Sequence, residues 1–405
     1  MRLKSCMKRY RKGTHRAAPP EETLARVMSK MEIAGVTRVA DITHLDRIGI
    51  PVFSSIRPGA ERGAVSVHSG KGTTAEEAKV SAMMEAIERY SAEVHDRELL
   101  EERYSKLRRQ ENALNPDDLI LPGYVSHSEE IGIPWVEGYD LINDEEIYVP
   151  ANAVFHPLPD RYVRLFRTNT NGLAAGNEIE EAIFHGLSEV IERDAWSLVE
   201  ITRKTGAVVR FGDEDEDIRS ILKKFTNADV SVLIRDITSD IGIPTFAAVS
   251  EDLKLKDPAL LIMGMGTHTD ARVAVMRALT EVAQSRLTQI HGAREDTVTA
   301  DLRRMMGYEW MRKRNAHWFD TSEEKNFDEI HSKSHDDFLD DIKYMIERLK
   351  EAGLERVIVV DLTREEVGVP VVRVIVPGLE VYAVDGERIG KRCKNARRRL
   401  ARSSG

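Results

Sequence analysis

The sequence predicts a mixed α/β protein. Short apolar segments typical of strands alternate with longer segments of helical periodicity over most of the chain. Three glycine-rich segments each precede a long, largely apolar helix. The chain has 405 residues, of which 41% are hydrophobic, and this is enough to bury a sizeable core.

The elements follow in order along the chain. Helices are predicted at 21–32, 75–93, 178–202, 216–226 and 270–291. Strands are predicted at 206–211, 229–236, 244–250, 356–361 and 371–376. The charged segments 95–115 and 296–353 are predicted to be mostly helical, the second as an insertion or a peripheral layer. Residues 1–39 form a basic, partly helical segment, and 391–405 form a basic tail.

Composition excludes several classes of protein. The net charge of −9 argues against binding nucleic acid over the whole surface. The apolar runs are too short to span a bilayer. The two cysteines, Cys6 and Cys393, lie in no metal-binding pattern, which fits a reducing compartment. We therefore expect a cytoplasmic protein without a membrane or nucleic-acid partner.

The three helices that follow the glycine-rich segments share an acidic pattern. A glutamate is followed three residues later by Glu or Gln, and within two further residues by Arg. The three instances are Glu85-x-x-Glu88-Arg89, Glu189-x-x-Glu192-Arg193 and Glu281-x-x-Gln284-x-Arg286. Helical periodicity places Ser81 on the acidic face of the first helix and Glu181 on that of the second. The remaining faces are apolar, which is typical of buried helices.

Buried carboxylates require cations, because an unpaired charge in the interior is costly. Arg89, Arg193 and Arg286 can supply part of this charge, and the number of acids indicates a metal as well. Oxygen ligands without Cys suit Mg²⁺, which commonly also binds substrate phosphates. A single such pattern is more often a solvated ion-pair face. A di-iron site would need Glu-x-x-His pairs, which these helices lack, and His185 is interpreted as structural.

The glycine-rich segments do not match known phosphate-binding fingerprints. Gly70-Lys71-Gly72 is not a P-loop, and Gly264-x-Gly266 is not followed by the third glycine of a dinucleotide-binding turn. Each segment is therefore interpreted as a turn.

Taken together, these segments resemble the YcaO domain over residues 40–390. The resemblance rests on the order and spacing of Thr43–Val52, Gly70-Lys71-Gly72 with Ser81, Glu85, Glu88 and Arg89, Asn171–Gly176 with Glu181, Glu189, Glu192, Arg193 and Ala195, Gly264 and Gly266 with Glu281, Gln284 and Arg286, Val360–Thr363, and Pro370–Val374. It implies a YcaO-type fold in which three acidic helices converge on one ATP site that also holds Mg²⁺.

The resemblance also implies a role for individual residues. Glu85, Glu88, Glu181, Glu189 and Glu192 are expected as metal ligands. Ser81, Glu85, Glu88, Asn171, Arg193, Glu281 and Gln284 are expected around the nucleotide, with Lys12 as a looser match. Arg193, Glu192 and Gln284 are expected to take part in catalysis.

The reaction implied by the resemblance is the phosphorylation of a peptide-backbone amide oxygen by Mg-ATP. Azoline-forming members commonly end in a Pro-x-Pro-x-Pro tail and carry a fused peptide-binding domain. This chain ends in Arg397–Gly405 without that pattern. We therefore expect thioamide formation, of the thioglycine type, on a peptide or protein substrate with a TfuA-type partner. Azoline cyclodehydration and a non-catalytic accessory role for a methylthiotransferase are the alternatives, and a homodimer is compatible with the sequence.

Overall fold

The computed structural model describes residues 1–295 and 299–403, and the predicted segments 296–353 and 391–405 therefore lie partly outside the described residues. In this part of the chain ten helices occur: α1 (Pro20–Met28), α2 (Ala75–Ser91), α3 (Tyr104–Leu107), α4 (Ile179–Thr202), α5 (Glu216–Asn227), α6 (Ala271–His291), α7 (Thr299–Met306), α8 (Tyr308–Arg314), α9 (Phe338–Glu351) and α10 (Lys391–Ser403).

Fourteen strands are described in the same ranges. They are β1 (Arg38–Asp41), β2 (Val52–Ile56), β3 (Val67–Lys71), β4 (Leu100–Arg103), β5 (Gly132–Asp140), β6 (Glu145–Pro150), β7 (Leu173–Ala175), β8 (Val208–Arg210), β9 (Val230–Asp236), β10 (Thr245–Asp252), β11 (Ile262–Thr267), β12 (Glu324–Asn326), β13 (Ile358–Asp361) and β14 (Val371–Ile375). The predicted mixed α/β class is confirmed.

The strands form three sheets. The first has the order β1-β2-β3, and the second has the order β11-β10-β9-β8-β12. The third has the order β4-β5-β13-β14-β7, and β6 pairs with β5 outside this order. Neighbouring strands are antiparallel except β8 and β12, which run parallel.

Each of the three acidic helices packs on a sheet of its own. Helix α2 lies on β2 and β3, α4 on β14 and β7, and α6 on β10 and β11. Each also contacts a strand of another sheet, since α2 touches β7, α4 touches β11 and α6 touches β3. The three helices therefore form a closed ring of contacts between the sheets, and their acidic faces can meet inside it.

The glycines before these helices allow this close packing. Gly70 lies within β3, where an added Cβ would stand 1.9 Å from the backbone nitrogen of Ala82 in α2. Gly264 and Gly266 lie within β11, where a Cβ would meet the backbone carbonyls of α6 at 2.2 and 2.0 Å. The prediction that these two segments are turns is therefore wrong. A turn is found before α4, where Gly172 has a positive φ of 80°.

The two charged segments differ from the expectation. Residues 95–115 contain the strand β4 and the four-residue helix α3, so the prediction of a mostly helical segment is wrong there. Within 299–353, the helices α7, α8 and α9 are interrupted by β12, which extends the second sheet beside β8. None of the helices in the described ranges has both the length and the apolar character that crossing a bilayer requires.

Candidate functional site

A cavity of about 530 Å³ opens where the three acidic faces meet. Its wall comes from α2, α4, α6, the start of α1, the end of β3, the strand β7, and the N-terminal residues before α1. The predicted site residues on this wall are Ser81, Glu85, Glu88, Glu181, Glu189, Glu192, Arg193, Glu281 and Gln284. Residues from three distant parts of the sequence are thus brought into one cavity.

Asn171 is the predicted site residue that does not reach this cavity. It precedes the turn at Gly172, and it lines a separate cavity of about 60 Å³ together with Arg373. Leu173, Ala174 and Ala175, which follow the turn, line the large cavity instead. Asn171 therefore lies outside the lining of the large cavity, and its expected contact with the nucleotide stays a prediction. Lys12 is exposed and is likewise absent from the lining.

Helix α2 holds its two glutamates with one arginine. A guanidinium nitrogen of Arg89 lies 3.4 Å from Glu85 and 3.7 Å from Glu88. The backbone N–H of Ala175 donates to Glu88 at 3.2 Å. Burial nevertheless raises the pKa of Glu88 to about 8, because the neighbouring cation and this N–H do not make up for lost water.

Helix α4 repeats this arrangement. Arg193 lies 3.9 Å from Glu189 and 3.6 Å from Glu192. Burial raises the pKa of both glutamates, that of Glu192 to about 7, and the nearby carboxylate of Glu281 adds to the effect on Glu192. These raised values identify positions where the protein alone supplies too little positive charge.

Glu181 lies about two helical turns before Glu189 in α4, and its hydrogen-bond partners are backbone groups. It accepts from the backbone N–H groups of Ala17 at 3.2 Å and Asn177 at 3.0 Å. Burial opposes its ionisation, but the ring of His185 and the charge of Arg16, each 3.8 Å away, outweigh it and lower the pKa of Glu181. Glu181 therefore fixes the N-terminal residues against α4 already in the absence of a metal.

Helix α6 contributes an acid and an amide. Lys71 of β3 donates to Glu281 at 2.5 Å, and this charge, with that of Arg193, overcomes the effect of burial and lowers the pKa of Glu281. The side-chain amide of Gln284 donates to the backbone carbonyl of Ser69. Both contacts join α6 to the first sheet beside the cavity.

Arg286 does not serve the cavity, contrary to expectation. Its fully buried guanidinium points away and pairs with Asp46 at 2.8 and 3.1 Å and with Asp252 at 3.1 Å. The cavity instead receives Arg277, one turn before Glu281 on α6. Arg277 is not among the residues predicted from the sequence, although its spacing of four residues from Glu281 is a usable signal. Gly13, Thr14 and Arg16 are not predicted either, because they follow no periodic pattern.

The donor set fits both a divalent cation and a polyphosphate. Among the described residues, no three acidic, histidine or cysteine side chains stand close enough to form a ready metal cluster, because each acid is held by a neighbouring base or N–H group. Raised carboxylate pKa values nonetheless favour an added cation. Buried N–H groups on Arg89 and Arg277 have no hydrogen-bond partner among the described residues, and a phosphate would supply acceptors.

Fold and cavity thus define a mixed α/β protein whose interior suits a metal-bound nucleotide. A protein-family model described as "YcaO cyclodehydratase", ATP- and Mg²⁺-binding, matches residues 69–380. The chain belongs to the YcaO family, and ATP and Mg²⁺ as its cofactors agree with the sequence-based prediction.

Relatives and solved structures agree with this assignment. An uncharacterized protein of Methanothermobacter thermautotrophicus is 54% identical over 94% of this chain and 99% of its own length. A Rhizobium leguminosarum protein described as lying in the tfuA 3′ region is 33% identical over 90% of this chain and 89% of its own.

Two solved structures carry ligands. YcaO from Methanopyrus kandleri, bound with AMPPCP and Mg²⁺, is 32% identical with a TM-score of 0.79, covering 95% of this chain and 98% of that one. A heterocyclase in complex with substrate and cofactor is 25% identical with a TM-score of 0.80, covering 94% of this chain and 54% of that one.

Proposed function

We propose that this protein uses Mg-ATP to phosphorylate the oxygen of a peptide-backbone amide, and that the activated amide is converted to a thioamide. The observation that carries the proposal is the mixed character of the cavity. Glu88 and Glu192 have too little positive charge around them, and buried N–H groups of Arg89 and Arg277 have no acceptor in the described part of the chain. A nucleotide triphosphate bound with Mg²⁺ satisfies both deficits at once.

The chemistry follows from the poor reactivity of an amide. Its oxygen attacks the γ-phosphorus of ATP, and ADP leaves. A hydrosulfide ion then adds to the carbonyl carbon, and loss of phosphate and a proton leaves a C=S bond. The products are a thioamide, ADP and inorganic phosphate, so ATP makes the amide oxygen a good leaving group.

We expect separate roles for the residues of the cavity. Bound Mg²⁺ would be held by glutamates among Glu85, Glu88, Glu181, Glu189 and Glu192, and it would neutralise charge on the transferring phosphoryl group. Arg193 would stabilise the same charge from its position between Glu189 and Glu192. Ser81, Glu281 and Gln284 would complete the nucleotide site.

The thioamide product and a TfuA-type partner are supported by the relative described by its position in the tfuA 3′ region. Its identity of 33% extends over 90% of this chain, so the likeness is not confined to the ATP cavity. Two free, buried cysteines also fit our expectation of a cytoplasmic protein. The peptide substrate would be presented together with the partner, and sulfide would come from outside the chain.

The similarity to a heterocyclase keeps azoline formation as the second candidate. In that reaction a Cys, Ser or Thr of the substrate attacks the activated carbonyl in place of sulfide. Mass spectrometry separates the two, since a thioamide is heavier by the difference between sulfur and oxygen, whereas an azoline is lighter by one water.

The experiment is ADP release from purified protein with Mg-ATP, sulfide, candidate peptides and the partner. Glu189→Gln and Glu192→Gln should each lower the rate at least about 100-fold, a typical loss for one group that stabilises transition-state charge. Glu76→Gln, on an exposed position of α2, is the matched control and should retain the rate. Full activity in both cavity variants, with wild-type folding, would contradict the proposal.

A further inference from the structure

The N-terminal residues 4–18, which we call the strap, connect α9 with the nucleotide cavity. At one end the backbone N–H of Phe338 donates to Cys6 at 2.9 Å, and that of Lys8 donates to Asp336 at 2.9 Å. At the other end, two backbone hydrogen bonds of 3.1 and 2.9 Å between Tyr10 and Arg16 form a hairpin. The strap is therefore fastened to the segment that leads into α9.

The hairpin carries the part of the strap that reaches the cavity. Gly13, Thr14 and Arg16 line the wall opposite residues of α2, α4 and α6. The backbone N–H of Ala17 holds this end to Glu181. A nucleotide bound in the cavity would therefore meet the strap directly.

A buried ion pair fastens the middle of the strap. The side chains of Lys8 and Asp341 are both fully buried and form a short contact. Asp341 also accepts from the hydroxyl of Thr269 and from the backbone N–H of His335, each at 2.8 Å. Lys8 in turn lies 3.2 Å from the ring nitrogen Nδ1 of His15, which can accept a hydrogen bond from it.

This ion pair is linked to the cavity through a short series of contacts. His15 lies between the two cavity residues Thr14 and Arg16, and Lys8 connects His15 with Asp341. No residue of α9 is among those lining the cavity in the described part of the chain. An effect of Asp341 on the nucleotide can therefore pass through the strap, or through Thr269, which lies just before α6.

We propose that Asp341 is a positioning residue for nucleotide binding, which acts by holding Lys8 and His15 so that the strap closes one wall of the cavity. The inference rests on the proposed nucleotide site and extends it to a residue outside the cavity. The start of α9, which carries Asp341, would then contribute to nucleotide affinity together with the strap.

The expected consequence of breaking the pair follows from its burial. A buried charge that loses its partner is costly, and Lys8 can avoid this cost when the strap detaches and exposes it to water. Few apolar side chains of the strap are buried, namely those of Cys6, Ala17 and Ala18. Detachment should therefore occur locally, without unfolding of the sheets.

The test measures binding of AMPPCP with Mg²⁺ by calorimetry, together with hydrogen exchange of the strap. Asp341→Asn should weaken binding about tenfold, as expected when the attached strap is populated in about a tenth of the molecules. Exchange in residues 4–18 should become faster, while that of β10 and α6 is unchanged. The KM for ATP should rise, and kcat at saturating ATP should stay near wild type.

A double variant distinguishes positioning from simple loss of stability. Lys8→Met combined with Asp341→Asn removes both charges, keeps a polar group for Thr269 and His335, and should restore affinity to within about threefold of wild type. Asp336→Asn is the control, since its exposed pair with Arg11 at 2.7 Å joins the same two segments. It should leave affinity and exchange unchanged.

The outcomes separate this inference from the proposed function. Absence of AMPPCP binding by the wild-type protein would refute the nucleotide site itself. Wild-type binding with equal binding by Asp341→Asn would refute the role of Asp341 alone. If Asp341→Asn cannot be purified, Lys8→Met provides the same test, and unchanged affinity in that variant would overturn the proposal.

Discussion

Replacing Gly264 with alanine tests whether strand glycines set the position of the acidic helices. The new methyl group would stand 2.2 Å from the carbonyl oxygen of Ala278, 2.6 Å from the nitrogen of Val282 and 2.9 Å from Cβ of Glu281. Two of these atoms belong to the α6 backbone, so no side-chain rotation relieves the overlap. Helix α6 would have to move about 1 Å to restore ordinary contact, enough to lose a quarter to a half of the dispersion energy across the gap.

Overpacking of this kind costs about 1–3 kcal/mol, and we expect a value near the upper end because the clash is with backbone. Chemical denaturation followed by circular dichroism measures the change. Gly132→Ala is the matched control, since Gly132 also lies in a strand and no atom comes within 4 Å of its added Cβ. Its stability should stay within about 0.5 kcal/mol of wild type.

The same substitution should also affect binding. Glu281 sits on the turn of α6 that faces Gly264, and its carboxylate accepts from the backbone N–H of Met265 at 3.4 Å. A displaced helix would carry Glu281 away from Lys71 and weaken the affinity for the nucleotide. Wild-type stability and wild-type affinity in Gly264→Ala would refute the reasoning about close packing.

Three further predictions concern buried charges. Burial raises the folded-state pKa of Glu88 from 4.5 to about 8, so the free energy of unfolding falls as pH rises from 4.5 to about 8. In urea unfolding at about pH 9 without Mg²⁺, Glu88→Gln should therefore be more stable than wild type by at least about 1 kcal/mol, and the control Glu76→Gln should not. Burial, together with the charges of nearby arginines, holds the pKa of His68 far below 6.5, so the free energy of unfolding falls as pH drops below 6.5. His68→Met should reduce the slope of this free energy against pH by about 1.4 kcal/mol per pH unit, and the control His44→Met, at an exposed position, should not. Arg286→Met should lower the free energy of unfolding by about 3–5 kcal/mol, because it leaves the buried Asp46 without a cation and Asp252 with Arg47 alone. A loss below about 1 kcal/mol would contradict this account.

Much of the cavity could be predicted because helical periodicity is a local property. Glu85 and Glu88, or Glu189 and Glu192, share a face whatever the helix packs against. The same rule explains why Arg286 does not line the cavity. In the first two helices the arginine follows the first glutamate by four residues, but Arg286 follows Glu281 by five, which rotates it to another face.

What the sequence could not reveal depends on contacts between distant residues. Residues 100–103 form a strand because β5 pairs with them, although their charged composition favours a helix. Asn171 and Asn177 both flank the same strand, and the turn at Gly172 places Asn177, not Asn171, on the cavity wall. The strap has no periodic pattern, and its place follows from its bonds to α9 and α4.

The ring of helices has a consequence for how ligands and stability are connected. Each sheet has its own covering helix, and each of these three helices also contacts a strand of another sheet and lines the cavity. A molecule bound there contacts all three helices at once and binds only the folded chain, so its binding free energy adds to the thermal stability of the protein. Thermal melting with and without Mg-nucleotide would therefore report occupancy even where no peptide substrate has been identified.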